Sequence, residues 1–318
     1  MIRIGIVGTS SISERLADAV AVVEGVEVGR VASRDAARAR EFADRVGAAG
    51  VAQGLEGLLG AGDVDAVYIA SPNSVHAEQV RMAVDAGIPV LVEKPATLSV
   101  EEWDDLVRHA RERGVVLLEA MRTAYDPGIR AIQDLLPRLG RVRRVSFRYE
   151  KRSARYDHVL AGEQTNILDP ALGGSALRDL GVYPLHALVL LFGEPREILG
   201  TRIGIASRTD GLGSAIAEYD GFVADVAWSK ITDTSLPSEI QGEEASLSID
   251  AIDAPRRLVL TPRGGTPEVI DVAAPDNPMV GEVERFRDAV HGADISADQH
   301  RTASTLRLVD ALLQRPLR

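Results

Sequence analysis

From Met1 to about Arg122, short apolar runs alternate with stretches whose apolar residues recur every three or four positions. That alternation limits the fold more than any other feature. The runs Ile2–Val7, Val26–Ala32, Val64–Ala70, Val90–Val92 and Val115–Ala120 read as strands. Val90-Leu91-Val92 is apolar without a break, as strands buried on both faces are. Between the strands, Leu16, Val20 and Val23 mark one helix, Val75–Ala86 a second that closes at Gly87, and Ser99-Val100-Glu101-Glu102 opens a third that Gly114 stops. Strands alternating with helices assemble into a parallel sheet covered on both faces. Residues 1–122 are therefore predicted to form a doubly wound α/β domain, and ligands of such sheets gather beyond the carboxyl ends of the strands.

Beyond Arg122 the period changes. Asp126-Pro127 starts a helix, because proline suits a first helical turn. Arg141 to Glu150 then alternates, with Val145, Phe147 and Tyr149 on one face and Ser146, Arg148 and Glu150 on the other. Strand candidates follow at Glu197–Ala206, Ile216–Tyr219, Phe222–Ser229, Glu239–Gln241, Ser246–Ile249, Arg257–Leu260 and Val269–Val272, and two helices end the chain near Glu282–Val290 and Arg301–Leu313. The pattern predicts an α+β domain over residues 123–318, built on a mostly antiparallel open sheet. A sheet with an uncovered face tends to bury it in a partner, so a homodimer or homotetramer is expected.

Composition narrows the function classes. A net charge of -11 argues against broad nucleic-acid binding. The locally basic stretch from Arg141 to Arg155 reads as the solvated face of one strand. The absence of cysteine removes thiol nucleophiles, disulfides and zinc–thiolate sites, and no metal site is expected. No apolar run reaches membrane-spanning length, and Met1-Ile2-Arg3-Ile4-Gly5 enters a strand with no charged leader. A cytoplasmic protein with a small-molecule substrate is expected.

The turn Gly8-Thr9-Ser10-Ser11-Ile12 joins the first strand to the first helix. Backbone N–H groups at such a helix start make a phosphate site. Ser11-Ile12-Ser13-Glu14 has the capping-box form, with Ser11 as the expected N-cap. Of the three glycines in a dinucleotide fingerprint only Gly8 is present. The second strand ends in Ser33-Arg34-Asp35, with Arg38 one helical turn later. An acid here binds the ribose hydroxyls of NAD, whereas an arginine accommodates the 2′-phosphate of NADP. Ser33, Arg34 and Arg38 favour NADP(H), with NAD(H) as the second option, and Asp35 reads as the next helix's N-cap. Ser71-Pro72-Asn73, Arg122 and His76, all at the same sheet edge, complete the candidate cofactor set.

Two constellations carry the chemistry. Lys94, in Glu93-Lys94-Pro95, follows a buried strand, and Pro95 restricts its backbone and allows a cis bond. Asp179, Tyr183 and His186 are spaced by four and three, which puts them on one face of a helix. Pro184 fits the first turn of that helix, which places the helix start near Leu180 or Gly181 and leaves Asp179 as a cap or loop residue. A purely structural reading also stands, in which these polar groups satisfy one another.

Gly8-Thr9, Ser71-Pro72-Asn73, Glu93-Lys94-Pro95 and the run from Gly173-Gly174-Ser175 to Asp179-x-Gly181-x-Tyr183-x-x-His186 together resemble the glucose–fructose oxidoreductase, inositol dehydrogenase and rhizopine-catabolism (Gfo/Idh/MocA) family, collinearly over essentially the whole chain. Tyr183 resembles the dihydrodiol and xylose dehydrogenase branch, while many members carry glycine at the position of Ser10. The resemblance implies an N-terminal Rossmann domain, a C-terminal domain whose open sheet mediates oligomerisation, and hydride transfer between NAD(P)(H) and a hydroxyl or carbonyl of a sugar, cyclitol or related polyol. It also implies Lys94 and Tyr183 as the catalytic pair, brought together from different domains, with Asp179 holding Lys94. Oxidation of an alcohol removes the hydroxyl proton as hydride leaves, and an ammonium beside a phenol lowers the phenol's pKa. Tyr183 is then the acid/base and Lys94 its partner, alongside the assignment of some relatives in which the lysine itself moves the proton. Glu93 is expected to line the nicotinamide ribose, and Arg122 and His186 to meet substrate. A redox-neutral NAD-dependent glycosidase or lyase is the second reading. A non-catalytic dinucleotide-binding sensor, which would lack Lys94 or Tyr183, is the third.

Overall fold

The computed structural model describes residues 1–163 and 165–318, which divide into two units. The first comprises Met1–Arg122 and Pro275–Ala303, the second Thr123–Ala274 and Ser304–Arg318.

The N-terminal segment of the first unit alternates β1 (Ile2–Val7), α1 (Ser11–Val20), β2 (Val26–Ser33), α2 (Ala36–Val46), β3 (Gly50–Gln53), α3 (Gly54–Leu59), β4 (Ala66–Ile69), α4 (His76–Asp85), β5 (Val90–Glu93), α5 (Val100–Arg113) and β6 (Leu117–Ala120). The six strands are parallel, in the order β3-β2-β1-β4-β5-β6. Strand order reverses between β1 and β4, which makes that point the topological switch. Ile4, Ile6, Tyr68 and Leu91 on the strands are wholly buried, with Leu16 of α1 and Phe42 of α2 in the same core. β3 and α3 escape the sequence pattern because four and six residues are too few to show a period.

The second unit contains α6 (Pro127–Leu135), β7 (Val142–Glu150), α7 (Tyr156–Leu160), α8 (Val182–Phe192), β8 (Glu197–Gly204), β9 (Asp210–Tyr219), β10 (Phe222–Ser229), β11 (Ser238–Gly242), β12 (Ala245–Ile249), β13 (Arg257–Pro262) and β14 (Glu268–Asp271). Asp126 caps α6, its carboxylate accepting from Gly128 N at 2.7 Å. The eight-stranded sheet runs β14-β13-β12-β11-β7-β10-β9-β8, with every neighbour antiparallel except the parallel pair β7 and β10. Alternate residues such as Val145, Phe147, Val226, Trp228, Ile240 and Leu247 enter a core shared with Leu185 and Leu188 of α8. On the opposite face Leu199, Ile203, Ile216, Val223 and Val269 are exposed. The expectation that no apolar stretch is long enough to span a membrane needs correction. The helical stretch Pro170–Phe192 passes by length and composition alone, but 72% of its most apolar window is buried within the protein, as a core helix's is.

The expected division of the chain at Arg122 alone does not describe the C-terminal end. α9 (Val280–Val290) packs on α1, and Met279, Val283 and Phe286 join the core that contains Ile2, Val20 and Phe42. α10 (Ser296–Leu313) begins in the first unit, whereas its Leu308, Val309 and Leu312 lie in the core of the second. Residues 123–318 are therefore not one body. The apolar side of α1 is covered by a segment more than 250 positions away in sequence, which no local pattern reveals.

Candidate active site

The turn after β1 is shaped for close backbone approach. Gly8 has φ 113°, and a Cβ there would lie 2.7 Å from Ala70 O at the end of β4. Ser10, not Ser11, is the N-cap of α1, and Ser11 is already helical. Ser10 makes no side-chain cap bond; its Oγ lies 3.4 Å from Ser13 Oγ. The N–H groups of this first turn have no intrahelical acceptor, so together with the space only glycine leaves they could hold an anionic group such as a pyrophosphate at the switch point.

β2 delivers Ser33, Arg34 and Asp35. Asp35 is the N-cap of α2, accepting from Ala37 N at 3.0 Å and Arg38 N at 3.1 Å. Those backbone bonds, the one from Arg38 foremost, hold its carboxyl below the ordinary aspartate range. The acid is thus committed to the helix. The side chains of Arg34 and Arg38 are exposed, and neither guanidinium has a hydrogen-bond or ion-pair partner among the described residues.

The turn bearing Lys94 is pinned residue by residue. Tyr68 Oη donates to Glu93 Oε1 at 2.6 Å, and Lys94 N donates to Glu93 Oε2 at 3.1 Å. The Lys94–Pro95 peptide is cis. Pro95 O lies 3.0 Å from His76 Nδ1, while His76 Nε2 is 2.9 Å from Ser71 O. Ala96 N donates to Glu119 Oε1 at 2.9 Å, and Glu119 Oε2 accepts from Thr302 Oγ1 of α10 at 2.9 Å. His76 is wholly buried, and that burial lowers its pKa. With its two nitrogens within hydrogen-bond distance of the Pro95 and Ser71 carbonyls, it brackets those two turns at the sheet edge that made it a cofactor candidate. Ser71 Oγ donates to Gln79 Oε1 of α4 at 2.6 Å, Asn73 opens the short helical turn Asn73–Val75, and Arg122 opens another, Arg122–Tyr125, after β6.

Three buried carboxyls surround this turn's base. Burial raises the pKa of Glu93, opposed chiefly by the Lys94 charge. Burial pushes Glu119 up to about 7. Glu282 of α9 is raised well above the usual range by burial and then by Glu93, and neither of its oxygens has a hydrogen-bond partner among the described residues. Sequence reading singled out Glu93 but neither Glu119 nor Glu282.

In the second unit the expected helix starts earlier than predicted. Its first turn, Leu177–Gly181, is π-helical and runs directly into α8. Pro184 has no N–H to return to the preceding turn, and a widened turn accommodates that missing bond. Asp179 therefore sits within the helix, four residues before Tyr183, instead of in a cap. Asp210, buried at the start of β9, anchors the helix head: its Oδ2 accepts from Leu177 N at 2.9 Å and from Trp228 Nε1 at 3.2 Å. Tyr183 is buried edge-on to Tyr149, with ring centroids 5.4 Å apart, and His186 is buried one turn further on. Asp179 forms an ion pair with Lys230, the residue after β10. Lys230 and Asp210 were missed by sequence reading; a lysine directly after a strand was the available signal for the first. Among the described residues no group of three or more His, Cys, Asp or Glu is placed to hold a metal ion.

Residues 2–121 match the model of the oxidoreductase family with an NAD-binding Rossmann fold, and residues 130–248 match the Gfo/Idh/MocA C-terminal domain. The chain belongs to the Gfo/Idh/MocA oxidoreductase family. It is 35% identical over 313 residues to scyllo-inositol 2-dehydrogenase (NADP(+)) IolU of Bacillus subtilis (strain 168), an alignment covering 98% of this chain and 95% of the relative. It is 30% identical over 321 residues to D-xylose 1-dehydrogenase (NADP(+)) 2 of Haloferax volcanii, covering 98% and 96%. Among solved structures, KijD10, a 3-ketoreductase from Actinomadura kijaniata in complex with NADP and TDP-benzene, superposes with a TM-score of 0.89 at 27% identity, covering 98% of this chain and 97% of that one. This Gfo/Idh/MocA chain thus matches these proteins over nearly its whole length.

Proposed function

We infer that this protein is an oxidoreductase that moves a hydride between NADP(H) and a hydroxyl or carbonyl carbon of a sugar, cyclitol or related polyol. The observation that carries this reading is the buried clamp that fixes Lys94 at the carboxyl end of β5 in a Gfo/Idh/MocA chain. The bound nicotinamide supplies or accepts the hydride. Gly8, Thr9, Ser10, Ser11 and Ile12 cradle the pyrophosphate, and Ser33, Arg34 and Arg38 hold the 2′-phosphate; NAD(H) binds less well because Asp35 is committed to α2. Ser71, Pro72, Asn73, Glu93 and Arg122 border the cofactor. Tyr183 takes the hydroxyl proton in oxidation and returns it in reduction. The Lys94 ammonium stabilises the phenolate and donates to the substrate oxygen, while Asp179 and His186 orient the remaining hydroxyls. No observation favours a redox-neutral lyase or glycosidase, and the presence of both Lys94 and Tyr183 speaks against a sensor. The protein works in the cytoplasm as a homodimer or homotetramer joined through the outer face of the eight-stranded sheet.

The test is turnover of NADP+ with scyllo-inositol, myo-inositol and D-xylose. Tyr183→Phe should lower the rate by roughly 10²–10⁴-fold, the usual span for a general acid–base group, with NADP+ affinity nearly unchanged. Lys94→Ala should be at least as damaging, and the double variant little worse than the worse single one, because groups acting as a unit are non-additive. Near-normal turnover by Tyr183→Phe would make Tyr183 structural and leave Lys94 as the acid/base.

A further inference from the structure

Of the 36 lysines and arginines in this chain, three are lysines: Lys94, Lys151 and Lys230. Wherever else the chain places one of these two cations, it places arginine. Each lysine is the residue directly after a strand, following β5, β7 and β10 respectively. β5 lies in the parallel sheet, and β7 and β10 are the parallel neighbours of the other sheet. All three lysines therefore stand at carboxyl ends of strands that have a parallel neighbour.

Lys151 and Lys230 are held side by side on the backbone, with Lys151 N donating to Ser229 O at 2.9 Å and Lys230 N to Gly211 O at 2.8 Å. Ser229 Oγ accepts from Ile231 N at 3.1 Å and Thr232 N at 2.9 Å, fixing the turn that carries Lys230. Lys230 is 4% exposed, and its ammonium pairs with Asp179, one helical turn before Tyr183. Other titratable or charged side chains on the elements around the pair include Arg178, Tyr183 and His186 on the helix, Arg148, Tyr149, Glu150, Lys151 and Arg152 on and after β7, Asp225 on β10, Asp233 beyond it, and Asp210 on β9, which Arg202 of β8 approaches to 3.8 Å. Asp210 is committed to Leu177 N and Trp228 Nε1. An ammonium is a compact point charge, whereas a guanidinium is a broad planar fork, so the two are not interchangeable in a closed space.

We propose that Lys230 is a positioning residue of the substrate site: its buried ammonium pairs with Asp179 and fixes that carboxylate one helical turn before Tyr183. The proposal rests on the hydride-transfer reading above.

The full chain is compared as wild type, Lys230→Met, Lys230→Arg and Tyr183→Phe. Unfolding midpoints without ligand, from pH 5 to 8, should show Lys230→Met losing more at pH 8 than at pH 5, since protonation in acid relieves an Asp179 that has lost the Lys230 charge. Equal losses would overturn the pairing. In turnover of NADP+ with scyllo-inositol, myo-inositol or D-xylose, Lys230→Met should lower kcat/KM on the order of 10²-fold, as misplacement of a catalytic array does, and move the acid limb of the pH profile upward. Lys230→Arg should not restore either, and NADP+ affinity should hold. A wild-type profile in Lys230→Met, with Tyr183→Phe inactive, overturns this proposal alone. Absence of wild-type turnover on all three probes removes the hydride-transfer reading, and the proposal with it.

Discussion

At the scale of single residues, cofactor choice turns on which side chains are already engaged. Asp35 spends its carboxylate on two backbone N–H groups, while the Arg34 and Arg38 guanidinium groups are exposed. Arg34→Ala should weaken NADP+ binding about 10- to 100-fold, the worth of a hydrogen bond to a charged group, and leave NAD+ binding nearly unchanged. Calorimetric titration with both nucleotides checks this, and equal losses would mean that Arg34 does not touch the 2′-phosphate. The places of Arg34 after β2, Lys94 after β5 and Tyr183 on α8 were legible in the sequence because residue type and local context suffice for them. Lys230 and Asp210 were not, because their partners lie 51 and 33 positions away and only the folded sheet brings them together. His76 was legible as a site-edge residue, yet the direction of its ring depends on two carbonyls that sequence does not position.

At the scale of elements, the Glu93–Ala96 turn is held from β4 by Tyr68, from α4 by His76, from β6 by Glu119 and, through Glu119, from α10 by Thr302. Glu119 ties three of these parts together, and its burial has a pH signature. Its carboxyl titrates near 7 in the folded protein against an ordinary value of 4.5. The folded state thus holds this proton more tightly than the unfolded chain, so the group's contribution to stability is greatest below about pH 4.5 and declines as pH rises through 7, by roughly 3 kcal/mol in all. Glu119→Gln, which carries no titrating group, should gain on wild type by about 2–3 kcal/mol between pH 5 and pH 8. Urea unfolding at both pH values measures it, and a constant difference would mean that Glu119 is not the titrating group. Most strands and helices were readable from period and caps. The exceptions share a cause: β3 and α3 are too short to show a period, and the π turn before α8 answers a proline whose effect on the preceding turn no propensity scale encodes.

At the scale of the whole molecule, the second sheet presents Leu199 and Ile203 of β8, Ile216 of β9 and Val223 of β10 on one exposed face, with Leu199 directly opposite Ile216. Large apolar side chains left exposed on one sheet face are a site where a partner can cover them. Light scattering should therefore give two or four times the 34.1 kDa chain mass, and Ile216→Glu should shift the population toward the monomer. A wild-type species at the single-chain mass would refute the assembly. The return of Met279, Val283 and Phe286 to the core of the first unit also sets a clock. A ribosome that has just made Arg122 has built every strand of the nucleotide-binding sheet, but the residues that cover α1 and the Thr302 hydroxyl that meets Glu119 are still unmade. At about 5–20 residues per second they follow on the order of 10–35 s later. During that interval the first 122 residues are a sheet whose α1 face is uncovered, and the turn that holds Lys94 lacks its link through Glu119 to Thr302.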